Sequence, residues 1–240
     1  MEVLAFMIVG SVLIVILKRM PAKGVTSRNI PDFVSKLFAG FKKEQGKINS
    51  NNNISLEADK KQKLLEKALE SLKGNKLKEA ENYYIEVLKI DQKDPESYKG
   101  LGQICFRNRD YKDALDIFQK LIELTPNDPS VYCNLGMCYF KEGDFKNALK
   151  SYKKALDFEK KPIYYKNMAI TFCTLKKYED ALGYIEKALK TGSRDKGLID
   201  LAIKLSSKVK NKKKVKDILG ALLKLEPKNT DLKKSLSKLK

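Results

Sequence analysis

A chain that repeats itself at a fixed interval has few folds open to it, and this one repeats every 33 or 34 residues. Tyr98, Tyr132 and Tyr165 correspond, as do Gly102, Gly136 and Ala169. Tyr111, Phe145 and Tyr178 follow in the same register, then Ala114, Ala148 and Ala181. Pro95, Pro129 and Pro162 open the three segments. The clearest segment, residues 129–159, reads as a helix, a tight turn at Gly143-Asp144 and a second helix. A period of this length marks an array of two-helix units. Such units cannot bury their apolar faces alone, so they stack and share one core.

The small residues explain the period. Gly102, Gly136 and Ala169 fall midway along each first helix, and Ala114, Ala148 and Ala181 near the start of each second helix. A missing or one-carbon side chain lets two helices approach closely where they cross. Phe118, Tyr152 and Ile185, two turns into the second helices, fill the space that remains. Turns are expected at Gly74-Asn75, Asn108-Arg109-Asp110, Gly143-Asp144 and Lys176-Lys177. Proline in the first helical turn loses no needed hydrogen bond, so Asp94-Pro95, Asp128-Pro129 and Lys161-Pro162 read as clean helix starts.

Tyr132, Leu135-Gly136, Tyr139, Ala148, Tyr152 and Ala155, with Pro126 closing the preceding unit, resemble the tetratricopeptide repeat (TPR) in register. The resemblance covers residues 56–240. It implies an all-α fold, a right-handed superhelical solenoid of stacked helix–turn–helix units. Three good units fall at 95–128, 129–161 and 162–195. Weaker ones flank them at 61–94 and 196–229, the last without the small residue at the helix crossing, and residues 230–240 read as a terminal capping helix. In that helix Leu232, Leu236 and Leu239 are expected to face inward, and Lys212-Lys213-Lys214 to take the place of the turn in the last pair.

The N-terminus is of another kind. Val3 to Leu17 carries no charge. With Met1 and Met20 the stretch just reaches the ~17–25 residues that a spanning helix needs. Residues 1–20 are therefore expected to be a transmembrane anchor, separate from the solenoid. Lys18, Arg19, Lys23 and Arg28 follow it and only Glu2 precedes it, so the positive-inside rule places the repeats in the cytoplasm and the N-terminus outside. Residues 21–55 read as a juxtamembrane linker. Within it residues 31–43 carry Phe33, Val34, Leu37, Phe38 and Phe41 on one helical face, with Lys36, Lys42 and Lys43 off it. This pattern fits a helix lying on anionic lipid, a helix docked on the repeats, or a loose linker. Asn53-Ile54-Ser55 matches a glycosylation acceptor, but the topology argues against its use, and Ser55 reads as the N-cap of the first long helix.

Chemistry is constrained by what is missing. The chain has no His, which removes Ser-His-Asp and Cys-His pairs and every His-containing metal site. Cys105, Cys133, Cys138 and Cys173 form no C-x-x-C pair and read as apolar fillers within helices. No phosphate loop occurs, since Gly100-Leu-Gly102 lies inside a helix. No enzyme activity and no cofactor is expected. The formal charge is +19. Lysines outnumber acids twelve to three from Lys208 to Lys240, and Lys212, Lys213, Lys214 and Lys216 form the densest part. An electrostatic binder of anionic lipid or nucleic acid is the alternative function. Lys in place of Arg and few aromatics argue against nucleic acid.

The TPR resemblance implies a concave groove floored by the second, fifth, sixth, ninth and twelfth positions of each unit. These are Glu96, Lys99, Gly100, Gln103 and Phe106, then Ser130, Cys133, Asn134, Met137 and Phe140, then Ile163, Lys166, Asn167, Ile170 and Cys173. Asn134 and Asn167 hold equivalent positions, and a side-chain amide both donates and accepts. They read either as hydrogen-bonding partners of a bound peptide or as residues that cap turns and meet water. A carboxylate clamp of the kind some relatives use is started by Lys99, Gln103 and Asn134. It breaks at Ile163 and Asn167, where a basic pair is needed. The function expected is a membrane-anchored scaffold or adaptor that holds a protein or peptide in this groove.

Overall fold

Proline and aspartate set where the helices begin. Pro95, Pro129 and Pro162 each occupy the first helical turn. Just before two of them, Asp94 accepts the Ser97 N–H at 2.8 Å and Asp128 accepts the Ser130 N–H at 2.8 Å. Each cap satisfies a backbone donor that the helix itself leaves without a partner. The computed structural model describes residues 52–239. They form α1 (Asn52–Lys73), α2 (Leu77–Ile90), α3 (Pro95–Arg107), α4 (Tyr111–Leu124), α5 (Pro129–Lys141), α6 (Phe145–Phe158), α7 (Pro162–Thr174), α8 (Tyr178–Lys190), α9 (Lys196–Ser206), α10 (Lys212–Leu225) and α11 (Thr230–Ser237). No strand occurs among them. The chain divides into two compact units at Leu124/Thr125, the first with α1–α4 and the second with α5–α11.

Each expected turn contains one residue in the left-handed region: Asn75, Arg109, Gly143 and Lys176, with φ of 59°, 67°, 83° and 60°. The N–H after each folds back onto a carbonyl of the preceding helix, as Asp144 N–H does onto Tyr139 O at 2.9 Å. This is the six-to-one closure that ends a helix with αL geometry. Gly143 adopts it without a Cβ penalty, whereas Arg109 and Lys176 adopt it against about 1–2 kcal/mol.

The crossings are as close as the small residues require. A Cβ added to Gly102 would lie 2.6 Å from the Phe118 ring, and one on Gly136 would lie 2.6 Å from the Tyr152 ring. Phe118 and Tyr152 are buried, as are Ala114, Ala148, Ala169 and Ala181. In the second unit Cys133, Ala148, Tyr152, Ala155, Tyr164 and Met168 form one core, and a larger aliphatic one extends from Ala169 to Leu232.

Two expectations about the chain ends change. Helix α1 begins at Asn52, so Ser55 lies within its first turn rather than capping it. Lys212, Lys213 and Lys214 form the first turn of α10 instead of the preceding turn. The reason is Asn211, whose side-chain oxygen accepts the Lys214 N–H at 3.0 Å and starts the helix there. Leu232 is fully buried, and Leu236 and Leu239 pack half-buried against the same core. Among the described residues no helix is long and apolar enough to cross a membrane. The expected anchor (1–20) and amphipathic stretch (31–43) lie outside the described residues.

Candidate functional site

The groove positions do not all behave alike. In the first unit Lys99 and Gln103 are half-buried, but Gly100 is a packing position. A Cβ there would lie 2.2 Å from the Tyr84 ring. That glycine therefore admits Tyr84 and does not floor a groove. Phe106 meets Tyr111 edge-on, with ring centroids 5.4 Å apart. The same pairing recurs in the second unit, where Phe140 meets Phe145 at 5.5 Å. These two phenylalanines brace the turn that follows each first helix as well as lining it.

Helices α5 and α7 touch within the second unit, which sets Asn134 and Asn167 on neighbouring first helices. Their environments differ. Asn167 donates from Nδ2 to Cys133 Sγ at 3.3 Å. Cys133 is buried, and that burial pushes its thiol up to about 11 despite the opposing hydrogen bond. It fills space beneath Asn167 and is not open floor. Asn134 is half-buried and its amide makes no hydrogen bond among the described residues. Met137 and Phe140 pack half-buried on the core beside it, and Ile170 is half-buried on α7.

Lys166 is held elsewhere. Its Nζ lies 3.0 Å from Asp195 Oδ2, and the other oxygen of Asp195 caps α9 through the Leu198 N–H at 2.9 Å. Burial raises the Asp195 carboxyl, but Lys166 and the N–H groups of Leu198 and Gly197 lower it further, so it settles below the usual Asp value. The first unit repeats the device. Lys61 reaches Asp91 and the capping Asp94, each at 2.7 Å. Hydrogen bonds to Asp91 and then Asp94 raise the Lys61 ammonium, and Lys61 in turn lowers Asp91. In both places a lysine of one first helix grips the capping aspartate of the next. Only the Asp-Pro step at Asp94 gave any sign of this in the sequence.

The basic segment is partly engaged by the fold. Lys212 Nζ donates to the Ser206 carbonyl at 3.2 Å, and Lys214 stands 3.8 Å from Glu186. Lys213 and Lys216 are exposed. Two of the four lysines are thus occupied in holding the start of α10. Cys105, Cys133 and Cys138 are buried and Cys173 half-buried, none in a disulfide. Among the described residues no three His, Cys, Asp or Glu side chains converge where a metal ion could sit.

Residues 65–129 and 129–161 match models of the tetratricopeptide repeat. No curated protein matches the chain. Among solved structures it is similar to a thermophilic TPR protein of Thermus thermophilus, with 17% identity and a TM-score of 0.55 over 75% of this chain and 98% of that one. A tetratricopeptide repeat protein of Parabacteroides merdae has 18% identity and a TM-score of 0.58 over 75% and 72%. YrrB, a TPR protein with an unusual peptide-binding site, has 18% identity and a TM-score of 0.53 over 71% and 88%. The fold is thus all-α, of the TPR solenoid class.

Proposed function

We propose that this chain, which carries tetratricopeptide repeats over residues 65–161, is a membrane-anchored scaffold. In this reading it binds a protein or peptide segment along α5 and α7 of its second unit. The observation that carries the reading is Asn134. A half-buried amide without a hydrogen-bond partner, beside half-buried Met137, Phe140 and Ile170, offers a donor and an acceptor on an adaptable apolar surface. Similarity in fold to YrrB, which has a peptide-binding site, supports a peptide as the class of ligand.

The roles within the face are unequal. Asn134 meets the ligand backbone. Asn167 has one donor already given to Cys133 and contributes less. Lys166 orients α9 through Asp195. Lys99, Gln103 and Phe106 line the corresponding face of the first unit. Residues 1–20 hold the chain to a membrane with the repeats in the cytoplasm, and this part rests on the sequence alone. Confinement to a surface raises effective concentration, so modest groove affinity suffices.

Immobilised full-length chain offered cytoplasmic extract at moderate salt tests this. A discrete protein is expected to be retained by the wild type and weakened about tenfold by Asn134→Ala, the loss of one well-placed hydrogen bond. Asn167→Ala is expected to do less. Deletion of residues 1–20 should release the chain from the membrane fraction without changing that capture. Retention indifferent to Asn134→Ala would remove the groove from the reading.

A further inference from the structure

Among the described residues, the exposed large apolar side chains of the first unit both stand on α1. They are Leu56 and Leu69, 68% and 43% exposed. The helix packs on α2 and α3, with Leu64, Ala68 and Leu72 buried. Leu56 lies among lysines, since Lys60, Lys63 and Lys67 follow it at spacings of four, three and four. Leu69 ends a different stripe. Ala58, Gln62, Leu65 and Leu69 follow one another at the same spacings, with Ala58 exposed and Leu65 half-buried. Exposed Asp59, Glu66 and Glu70 border this stripe on one side, and Lys73 stands beyond its end. Glu66 accepts the Gln62 amide at 3.0 Å. The stripe is thus apolar with an acidic margin, on a chain whose formal charge is +19.

The geometry points to this stripe as the docking site of residues 31–43 of the same chain, laid antiparallel to α1. Three properties select that occupant. Phe33, Val34, Leu37, Phe38 and Phe41 supply apolar side chains at helical spacing. As helix, Phe33 to Phe41 and Ala58 to Leu69 run roughly 12 and 16 Å at 1.5 Å per residue, so the two stripes match in length. Charge is the second property, because Lys36, Lys42 and Lys43 border the aromatic face and meet the acidic margin of α1. Reach is the third. Residues 44–51 join the segment to α1, a connection within the roughly two to eight residues that join antiparallel helices. Extended, they span roughly 26 Å, and Asn52 to Leu65 is about 20 Å of helix. A tether this short gives an effective concentration on the order of millimolar, so a small apolar face suffices. A second copy has no such advantage, since a stable interface buries about 1,000 Å² or more, which Ala58, Leu65 and Leu69 do not supply. Both partners precede the Leu124/Thr125 division, and no residue of α5 or α7 takes part.

Photocrosslinking tests this on the full-length chain in neutral detergent, with p-benzoylphenylalanine in place of Leu69 and the products mapped by peptide mass. Crosslinks within one chain to residues 31–43 are expected, and their loss in Leu37→Asp/Phe38→Asp. Glu66→Lys/Glu70→Lys should weaken them, as reversal of complementary charge does. The same probe at Leu56, on the other side of α1, should not reach residues 31–43. Phosphatidylcholine vesicles containing phosphatidylserine should leave the Leu69 crosslinks in place. Their loss on those vesicles would assign residues 31–43 to lipid and overturn the proposal. Crosslinks to a second copy, no crosslink to residues 31–43, or indifference to Leu37→Asp/Phe38→Asp would overturn it as well. Circular dichroism of each variant separates loss of docking from loss of the repeat fold.

Discussion

The pair α5–α6 and the pair α9–α10 belong to the same unit and are built on different principles. The first pivots on Gly136, whose missing side chain admits the Tyr152 ring to 2.6 Å of where a Cβ would stand. In the second, Ile203 occupies the register of Gly136 and packs half-buried against an aliphatic core. No pivot forms there. Ala202, Leu205, Val215 and Leu219 fill the crossing, and α11 closes it with Leu232. Helix α9 is also shorter, 11 residues against 13 in α5. One pair is held by shape and the other by apolar area. Helix α11 packs on both α9 and α10 and adds Leu232 to their core.

Truncation of Leu232 should have the largest effect. Leu232→Ala deletes a fully buried side chain and is expected to cost about 3 kcal/mol, within the ~2–5 kcal/mol usual for such truncations. Hydrogen exchange should show α9 and α10 losing protection before α5 and α6. Equal loss in both would mean that the second unit opens as one block and that the comparison has no energetic counterpart.

Alanine at two glycines sharpens the contrast, because opposite signs are expected. Gly136→Ala drives a methyl into the Tyr152 ring and should cost about 2 kcal/mol, as overpacking of a tight core does. Gly220, within α10, has nothing within 4 Å of an added Cβ. Gly220→Ala should therefore stabilise by up to about 1 kcal/mol through helix propensity alone. Denaturant midpoints of the two variants check both signs. A destabilising Gly220→Ala would show that the α9–α10 pair also depends on close approach.

The smallest difference lies in the caps. Asp144 starts α6 by accepting the Asn147 N–H at 3.0 Å, and Asn211 starts α10 by accepting the Lys214 N–H at 3.0 Å. The backbone hydrogen bond from Asn147, then that residue's side chain, lowers the Asp144 carboxyl below its ordinary 3.8. A lowered folded value means that the contribution is complete above 3.8 and is lost as pH falls through the lowered value. Acid titration followed by NMR should loosen the start of α6 while the Asn211 cap stays unchanged. Asp144→Asn should abolish that difference, and persistence of the acid response in this variant would assign it to other carboxylates.

Much of this architecture was legible in the residues. The register of Gly102, Gly136 and Ala169 against Phe118, Tyr152 and Ile185 gave the crossings, because a close approach can be made in few ways. Gly143, Asn75 and the residues aligned with them gave the turns. Legibility failed where one residue type serves two purposes. Gly100 stood at a groove position but admits Tyr84. Lys212 to Lys214 stood where the turn of the last pair was expected, yet Asn211 begins a helix with them.

By itself, then, the sequence determined the helical pairs, their period, their turns and the glycines on which they cross. All of these follow from local propensity and from steric demands that recur at a fixed spacing. Tertiary structure alone decided which of two equivalent asparagines keeps its amide available. Asn167 meets Cys133 from 34 positions away, and Lys166 meets Asp195 from 29. Such pairings depend on how neighbouring helices align side chains in space. A repeat that preserves its packing residues leaves those encounters free to differ from one unit to the next.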